Sequence, residues 1–347
     1  ALTFYNRGVA YVGKRDYNKA IVDFDQALLL DEKNALAFNI RGNAFAAKGN
    51  YDRAIEDLDH AIQLESKSAA AFNDRGLAHR AKGGIDRAIA DFDQAIRLDP
   101  KNATAFNNRG IAHIAKGQVE RAIQDFDQAI KLSPNNAVVL FNRGNAFYDK
   151  RDFERAIQEY DQAIKFKPTD AGAFHNRGNA YERKHNYDRA IADYDQSLKL
   201  SPNQSMVFND RGIAYAAKAE NDRAIVDFDQ SIRLDPKNSL AFYNRGIVYR
   251  AKGEIDRAIA DFDQAVLINP SYALAYYTRG NAYEIKRDFT RAIANFDQAI
   301  QINPNQSSAF YDRGIAHGSS GDSSRAIADF DQTIKLKPKN ALAFNNR

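Results

Sequence analysis

Apolar residues recur along the chain at helical spacing, in two runs within every unit of 34 residues. When the first residue is taken as position 1 of the first unit, positions 4, 8 and 11 share one helical face, as Phe38, Gly42 and Phe45 do. Positions 20, 24 and 27 share a face of the second run and are mostly Ala, Phe and Ala. This spacing predicts two helices per unit, which we call helix A and helix B.

The period does not slip anywhere in the chain. Proline occurs only at position 32, where it ends helix B because it cannot continue the helical backbone. The dipeptide Arg-Gly occupies positions 7 and 8 of ten consecutive units. A unit this short cannot bury its own apolar face, so the units must stack on one another. The predicted fold is therefore an all-α solenoid of helix-turn-helix repeats, without a linker or second domain. The predicted repeats are 1-34, 35-68, 69-102, 103-136, 137-170, 171-204, 205-238, 239-272, 273-306 and 307-340, followed by a partial helix at 341-347.

Polar residues mark the predicted helix ends. Lysine at position 14, followed in several repeats by glycine, as in Lys48-Gly49, is typical of the end of a helix. Aspartate at position 18, as at Asp52 and Asp86, is expected to cap the start of helix B. Glycine at position 8 and alanine at positions 20 and 27 are expected to let the two helices approach closely.

The period, the pattern aromatic-x-x-x-Gly-x-x-Tyr, the pattern Ala-x-x-x-Phe and the late proline together resemble the tetratricopeptide repeat family. The resemblance covers the whole chain but departs at two positions. Position 4 holds phenylalanine in most repeats instead of tryptophan, as at Phe4, and position 7 holds arginine instead of a large apolar residue. The resemblance implies a right-handed superhelix whose concave side is lined by helix A, and it indicates a fold rather than a reaction.

Arginine at position 7 and aspartate at position 25 are present in all ten repeats. One guanidinium and one carboxylate thus recur at fixed places on helices that must pack together. We hypothesise an Arg–Asp ladder between helices that sets the register of adjoining repeats. A ligand-binding role is the alternative, but repetition in every copy favours an architectural one.

Composition excludes several classes of function. The 49 basic and 45 acidic residues are spread over all repeats, and the net charge of +4 indicates no nucleic-acid partner. The chain has no cysteine and no apolar stretch long enough to span a membrane, and it does not identify a cellular compartment. Residues Gly8 to Lys14 match the start of a phosphate-binding loop, but Arg15 replaces the required Ser or Thr. The six histidines show no metal-ligand spacing, so we predict no enzyme activity, cofactor or metal.

The positions of helix A that vary between repeats indicate where a partner binds. Positions 2, 5, 9 and 12 form a second helical stripe, with position 6 beside it, and the resemblance places this stripe in the concave groove. Asparagine is frequent at positions 5, 6 and 9, and its amide matches the donors and acceptors of a peptide backbone. The predicted groove asparagines are Asn6, Asn39, Asn43, Asn73, Asn107, Asn108, Asn142, Asn145, Asn176, Asn179, Asn209, Asn244 and Asn281.

This row is similar to the asparagine ladder in the repeats of O-linked N-acetylglucosamine transferases, which hold extended polypeptides. The row at position 6 is interrupted, for example by Asp74, Asp210 and Asp312. The alternative is that these amides are solvated or bond neighbouring helices. Position 5 also carries aromatic rings, which are expected to grip partner side chains. They are Phe141, His175, Tyr243, Tyr277 and Tyr311.

Three classes of function follow from the sequence. A non-catalytic scaffold that binds an extended peptide or protein segment in the helix-A groove is favoured. The alternatives are a structural spacer that self-associates end to end, and the substrate-targeting arm of a larger enzyme. A clamp for a partner's C-terminal carboxylate is not expected, because no position 5 holds Lys or Arg.

Overall fold

The described part of the chain consists of helices A and B in alternation, joined by short turns. The structure, a computed structural model, describes residues 1–338 and 341–346; residues 339, 340 and 347, at the ends of the predicted tenth repeat and the partial helix, lie outside the described residues. The helices are α1 (Leu2–Gly13), α2 (Tyr17–Leu30), α3 (Ala35–Ala47), α4 (Tyr51–Leu64), α5 (Ala69–Ala81), α6 (Ile85–Leu98), α7 (Ala103–Ala115), α8 (Val119–Leu132), α9 (Ala137–Asp149), α10 (Phe153–Phe166), α11 (Ala171–Arg183), α12 (Tyr187–Leu200), α13 (Ser205–Ala217), α14 (Asn221–Leu234), α15 (Ser239–Ala251), α16 (Ile255–Ile268), α17 (Ala273–Ile285), α18 (Phe289–Ile302), α19 (Ser307–Ser319), α20 (Ser323–Leu336) and α21 (Ala341–Asn346).

The chain divides into two compact units, Ala1–Thr169 and Asp170–Arg347. Within each unit, helix A packs against helix B of its own repeat, and that helix B packs against helix A of the next repeat. The prediction of helix-turn-helix repeats is therefore confirmed in both units. A single continuous array over 1-347 stays a prediction.

The caps of helix B lie two residues earlier than the sequence analysis predicts. Asp16, Asp152 and Asp288 at position 16 accept a hydrogen bond from the backbone N–H three residues later, with N···O distances of 3.2, 3.1 and 3.0 Å. The prediction that Asp52 and Asp86 act as caps is wrong, because both lie inside the first turn of helix B. Their charge there still suits the positive end of the helix dipole.

Position 15, which follows helix A, has a left-handed backbone conformation in all ten repeats. Glycine supplies this conformation in five repeats, as at Gly49 with φ of 78°. In the other five repeats a residue with a side chain adopts it: Arg15, Arg151, His185, Ala219 and Arg287 have φ between 58° and 61°. A left-handed conformation costs such a residue about 1–2 kcal/mol relative to glycine.

We expect Ala219→Gly to stabilise the second unit by about 0.5–1 kcal/mol, because relief of the left-handed strain outweighs the extra entropy that glycine gives the unfolded chain. The measurement is the free energy of unfolding in urea. The matched control is Ala217→Gly, which removes the same methyl group from the last residue of α13 and should destabilise by up to about 1 kcal/mol. A loss of stability in Ala219→Gly contradicts the strain.

The core of each repeat is built from small residues around one large side chain. Alanine at position 20 and the aromatic residue at position 24 are buried as predicted, for example Ala224 and Phe228. Alanines at positions 3 and 10 of helix A, such as Ala105 and Ala112, are also fully buried although the sequence analysis did not single them out. Most position 4 rings are only partly buried, and Phe38 has the Arg41 guanidinium 5.4 Å from its ring centre.

Glycine at position 8 lies directly on the position 24 ring of the same repeat. A Cβ atom built on Gly212 would lie 2.7 Å from Cε1 of Phe228, and the distance from Gly110 to Phe126 is the same. The two helices therefore approach closely at this point, as predicted, because no side chain separates the backbone of helix A from the ring of helix B.

The position 7 arginines link three helices and form the ladder that the sequence analysis proposed. Arg211 donates to Asp195 at position 25 of the preceding repeat over 2.6 Å. The same guanidinium also binds Asp227 at position 23 of its own repeat through two hydrogen bonds of 2.7 Å. This second partner is not predicted from the sequence. The equivalent two-carboxylate contacts are described for Arg41, Arg75, Arg109, Arg143, Arg245 and Arg313.

Two repeats depart from the usual partner at position 23. Glu159 replaces aspartate opposite Arg143 and accepts a single hydrogen bond, while Nε of Arg143 and Oε2 of Glu159 are buried without a partner in the described residues. Asn295 lies opposite Arg279 and accepts from its Nε over 2.6 Å. The ladder therefore tolerates a neutral partner in this place.

Lysine at position 14 forms a second, exposed ladder between repeats. Lys218 contacts Asp188 at position 18 of the preceding repeat over 2.7 Å, and Lys252 contacts Asp222 over 2.6 Å. Lys82 pairs with Asp52 in the same way. Exposed pairs of this kind contribute between 0 and about 1 kcal/mol each.

The tenth repeat lacks several of these contacts. Ser320 replaces the lysine of position 14, Ser323 replaces the apolar residue common at position 17, and Gly318 and Gly321 flank the turn. We expect α19 and α20 to exchange their amide hydrogens before the other helices of the second unit, because fewer contacts oppose local opening. Hydrogen exchange followed by mass spectrometry tests this order. Slower exchange in α19 than in α15 would contradict it.

Candidate functional site

The first turn of helix A presents apolar side chains to solvent. Position 2 is exposed in both units: Leu36 is 60% accessible in the first unit, and Met206 and Leu240 are 67% and 44% accessible in the second. Leu2, Val138 and Leu274 occupy the same position and are also exposed. Because positions 2, 5, 9 and 12 share one helical face, this apolar row borders the predicted groove residues.

In the first unit, the predicted groove asparagines form hydrogen bonds between neighbouring repeats. The side chain at position 5 bonds the side chain at position 6 of the next repeat. Asn108 donates to Asn73, and Asn142 donates to Asn107, both over 2.9 Å. Residues 35 apart therefore pair directly on adjacent helices A, and these bonds engage part of the amide groups that the sequence analysis assigned to a ligand.

The second unit continues the same pairing with more varied chemistry. Asn244 donates to Asn209 over 2.9 Å, and Nε2 of His175 lies 2.7 Å from Oδ2 of Asp210. The hydroxyl groups of the later tyrosines take the same place. They pair as Tyr243 with Thr278, Tyr277 with Asp312 and Tyr311 with Asn346.

The aspartates at position 6 are members of this inter-repeat ladder. Asp74 accepts from Asn39 and from Asn43, each over 2.7 Å, and so joins two predicted groove residues. Asp74, Asp210 and Asp312 interrupt the row of asparagines but not the ladder of hydrogen bonds. The sequence signal lies in the pairing of position 5 with position 6 of the following repeat, which an examination of each position separately does not reveal.

The predicted groove residues differ in accessibility. Asn39, Asn107, Asn108 and Asn209 are buried, with Asn209 only 1% exposed. The other predicted groove residues are partly exposed, except for two that are exposed. Partly exposed are Asn73, Phe141, Asn142, Asn145, His175, Asn176, Asn179, Tyr243, Asn244, Tyr277, Asn281 and Tyr311, while Asn6 and Asn43 are exposed.

Asparagine at position 9 is held by the position 24 side chain in two repeats. The Tyr160 hydroxyl donates to Oδ1 of Asn145 over 2.8 Å, and the Tyr194 hydroxyl donates to Oδ1 of Asn179 over 2.7 Å. Oδ1 of Asn281 is buried and has no hydrogen-bond partner among the described residues. The first two amides are thus oriented by the core ring, and the amide nitrogen of Asn179 also lies 3.4 Å from Nε2 of His175.

The rings at position 5 pack against the core ring at position 24. Ring centres are 5.9 Å apart for Phe141 and Tyr160, and 6.0 Å apart for Tyr277 and Phe296. Tyr243 lies in the same way against Phe262, at 5.9 Å. These contacts fix the rings, so that a partner would meet rigid aromatic edges at low entropic cost.

Carboxylates concentrate on helix A of the second unit. Burial and the neighbouring charge of Asp210 raise the pKa of Glu182, and burial together with Asp312 raises the pKa of Glu284. Burial also raises the pKa of Asp312, although the Tyr277 hydroxyl donates to it over 2.6 Å. In the first unit, burial lowers the pKa of Arg80, which shares position 12 with Glu182 and Glu284.

The described residues contain no cluster of three or more His, Cys, Asp or Glu side chains arranged for a metal ion. Within the same residues, no helix has the length and apolar character that a membrane crossing needs.

Models of the tetratricopeptide repeat match most of the chain. One described as "Tetratricopeptide repeat" matches residues 73–137, a second matches 1–34, 171–204 and 273–306, and a third matches 228–260. A model described as "TPR repeat" matches residues 42–83, 144–185 and 248–285. No curated protein shows a significant sequence match to the chain.

Solved structures of other repeat proteins share the fold. The APC/C hetero-tetramer Cut9-Hcn1 matches with a TM-score of 0.56 at 15% identity, over 99% of this chain and 74% of that chain. A tetratricopeptide repeat protein from Parabacteroides merdae matches with a TM-score of 0.56 at 20% identity, over 72% of this chain and 98% of that chain. PilF of Pseudomonas aeruginosa matches with a TM-score of 0.53 at 20% identity, over 59% and 93%. These structures share the fold, and the matches to the tetratricopeptide repeat models show that the chain belongs to the tetratricopeptide repeat family.

Proposed function

We propose that this protein is a non-catalytic scaffold that binds an extended polypeptide along the helix-A face of its repeats. Tetratricopeptide arrays serve in general as protein-interaction scaffolds. The observation that carries the finer proposal is the exposed apolar row at position 2, which borders part-exposed rings at position 5, as Leu240 borders Tyr243. A row of exposed apolar side chains beside rigid aromatic edges is typical of a protein-binding surface.

The groove asparagines have two roles in this proposal. Buried amides such as Asn107 and Asn209 hold neighbouring helices A in register through the inter-repeat ladder. In this proposal, amides that are at least partly exposed, such as Asn43, Asn145 and Asn179, bond the backbone of a bound segment. The polypeptide contacts then repeat with the period of the array, which suits an extended partner.

The test uses a peptide selected from a random unstructured library by the whole protein. We expect the triple variant Tyr243→Ala, Tyr277→Ala and Tyr311→Ala to bind this peptide at least about tenfold more weakly, because three rigid contact rings are lost. Affinity is measured by fluorescence anisotropy, and circular dichroism checks that the helices are retained.

Two controls separate the groove from general effects. The corresponding triple substitution to phenylalanine keeps the rings and should keep most of the affinity, since it removes only the hydroxyl bonds to the next repeat. Leu29→Ala and Leu267→Ala remove exposed apolar side chains from helix B, which are 78% and 73% accessible, and should leave binding unchanged. Unaltered affinity in the alanine triple variant rules out the proposed surface.

A further inference from the structure

The ninth and tenth repeats bring four polar side chains together on the helix-A face. The Tyr277 hydroxyl donates to Oδ2 of Asp312 over 2.6 Å, and Glu284 lies close enough to Asp312 for their charges to repel. Neither a hydrogen bond nor an ion pair to Glu284 is found within the described residues. Asn281 adds a buried amide oxygen without a partner there. The cluster is thus rich in acceptors and poor in donors.

The same arrangement occurs three repeats earlier, at the sixth and seventh repeats. His175 takes the place of the tyrosine and contacts Asp210 over 2.7 Å, with Asn179 at the same position as Asn281. Glu182 lies at position 12, with Oε2 3.1 Å from the Tyr194 hydroxyl oxygen, and is repelled by Asp210. Two acidic clusters with the same arrangement of positions therefore lie on the helix-A face of the second unit.

Exposed apolar side chains lie on the helices between and beside these clusters. Met206, Leu240 and Leu274 occupy position 2 of the seventh, eighth and ninth repeats, and each is more than 40% accessible. Because position 2 shares a helical face with positions 5, 9 and 12, the apolar row and the carboxylates belong to one surface. Such a surface favours a partner with both apolar and charged side chains.

The net charge of this surface determines which sign of charge a partner needs. Its basic groups are Arg250 at position 12, Arg183 at position 13 and His175, which already contacts Asp210. The four carboxylates of the two clusters outnumber the two arginines. The first unit differs, because position 12 there carries Arg80 and no acidic residue.

We propose that the helix-A face of the second unit binds a polypeptide segment in which apolar residues alternate with lysine or arginine. This inference rests on the proposed function and adds the chemistry of the partner. The apolar side chains of the segment contact the position 2 row, and its cationic groups approach Glu182 with Asp210 and Glu284 with Asp312. Lysine and arginine carry several N–H donors and no acceptor, which matches clusters that offer oxygen atoms.

The test compares three synthetic peptides of equal length and equal leucine content whose remaining positions are all lysine, all glutamine or all glutamate. Each is titrated into the whole protein and into the double variant Glu182→Gln and Glu284→Gln, which preserves side-chain shape and leaves the ladder aspartates intact. The control is the double variant Glu32→Gln and Glu65→Gln, which removes the same charge from exposed turns of the first unit.

We expect the lysine peptide to bind the original protein most tightly. The double variant Glu182→Gln and Glu284→Gln, which is the groove variant, should bind the lysine peptide about tenfold more weakly. The control variant should bind the lysine peptide as the original protein does, and the affinity of the glutamine peptide should change little in either variant. Equal binding of all three peptides, or a lysine peptide that is insensitive to the groove variant, overturns the inference and leaves the proposed function in place. If no peptide of any charge binds and the library yields none, both are overturned.

Discussion

Asp227→Ala is expected to destabilise the second unit by about 3 kcal/mol. Arg211 binds Asp227 through two hydrogen bonds, and Asp227 is almost fully buried, with its side chain 5% exposed. Removal of one partner from a buried ion pair leaves the other charge without its main compensation, and this costs about 3–5 kcal/mol. The free energy of unfolding in urea, followed by circular dichroism, measures the effect.

The directions of the pKa shifts explain why removal of only one partner lowers the free energy of unfolding. Burial raises the pKa of the Asp227 carboxyl in spite of its bonds to Arg211. Burial also opposes the charge of Arg211, yet the hydrogen bonds to Asp227 and Asp195 raise the pKa of this guanidinium. The bidentate geometry sets the sign of the effect, because removal of either group leaves the other buried without its bidentate partner.

Two matched substitutions test whether position matters within the ladder. Asp195→Ala removes the other carboxylate of Arg211, which is 53% exposed, and should cost no more than about 1 kcal/mol. Asp227→Asn reproduces the partner that Arg279 finds in Asn295 and should cost less than the alanine variant. Equal losses at Asp195 and Asp227 would contradict the assignment of the main bond to position 23.

Gly144→Leu is expected to destabilise the first unit by about 3 kcal/mol. A Cβ atom at this position would lie 2.7 Å from Cε1 of Tyr160, a ring that is 1% exposed and therefore cannot move into solvent. Overpacking of such a site costs about 1–3 kcal/mol because neighbouring side chains must leave their preferred rotamers. The same displacement would break the bond from the Tyr160 hydroxyl to Asn145.

The control for this prediction is Gly13→Ala at the end of α1. A Cβ atom on Gly13 meets nothing within 4 Å, so alanine should stabilise this helix end by up to about 1 kcal/mol through its higher helix propensity. Thermal unfolding and urea denaturation compare the variants. If Gly144→Leu is as stable as the original protein, the close packing of helix A on the position 24 ring is disproved.

The sequence by itself determined the repeat, the two helices in it and most of the buried positions. Periodic apolar spacing is local information: Phe24 and Ala27 are placed on one face by the geometry of any α-helix. Proline at position 32 and the glycine in Lys48-Gly49 mark helix ends for equally local reasons. The fold class therefore needed no knowledge of how the helices pack.

Only the tertiary structure decided which side chains meet across helices. Arg211 has aspartates within reach at positions 23 and 25 of different repeats, and the crossing of the helices selects Asp227 for the bidentate bond. The bonds that join position 5 to position 6 of the next repeat connect residues 35 apart, so no helical periodicity reveals them. They determine which groove asparagines remain accessible to a partner.

The left-handed conformation of Ala219 is likewise set by the tertiary structure. Its side chain gives no local signal for that conformation. It is imposed because helix A and helix B must pack on each other across a turn of fixed length, and the packing energy exceeds the backbone strain. Local propensity thus determined the helices of this protein. The contacts between helices determined the backbone conformation of turns such as that at Ala219, the ion-pair partners, and which side chains of the helix-A face are bonded to the next repeat.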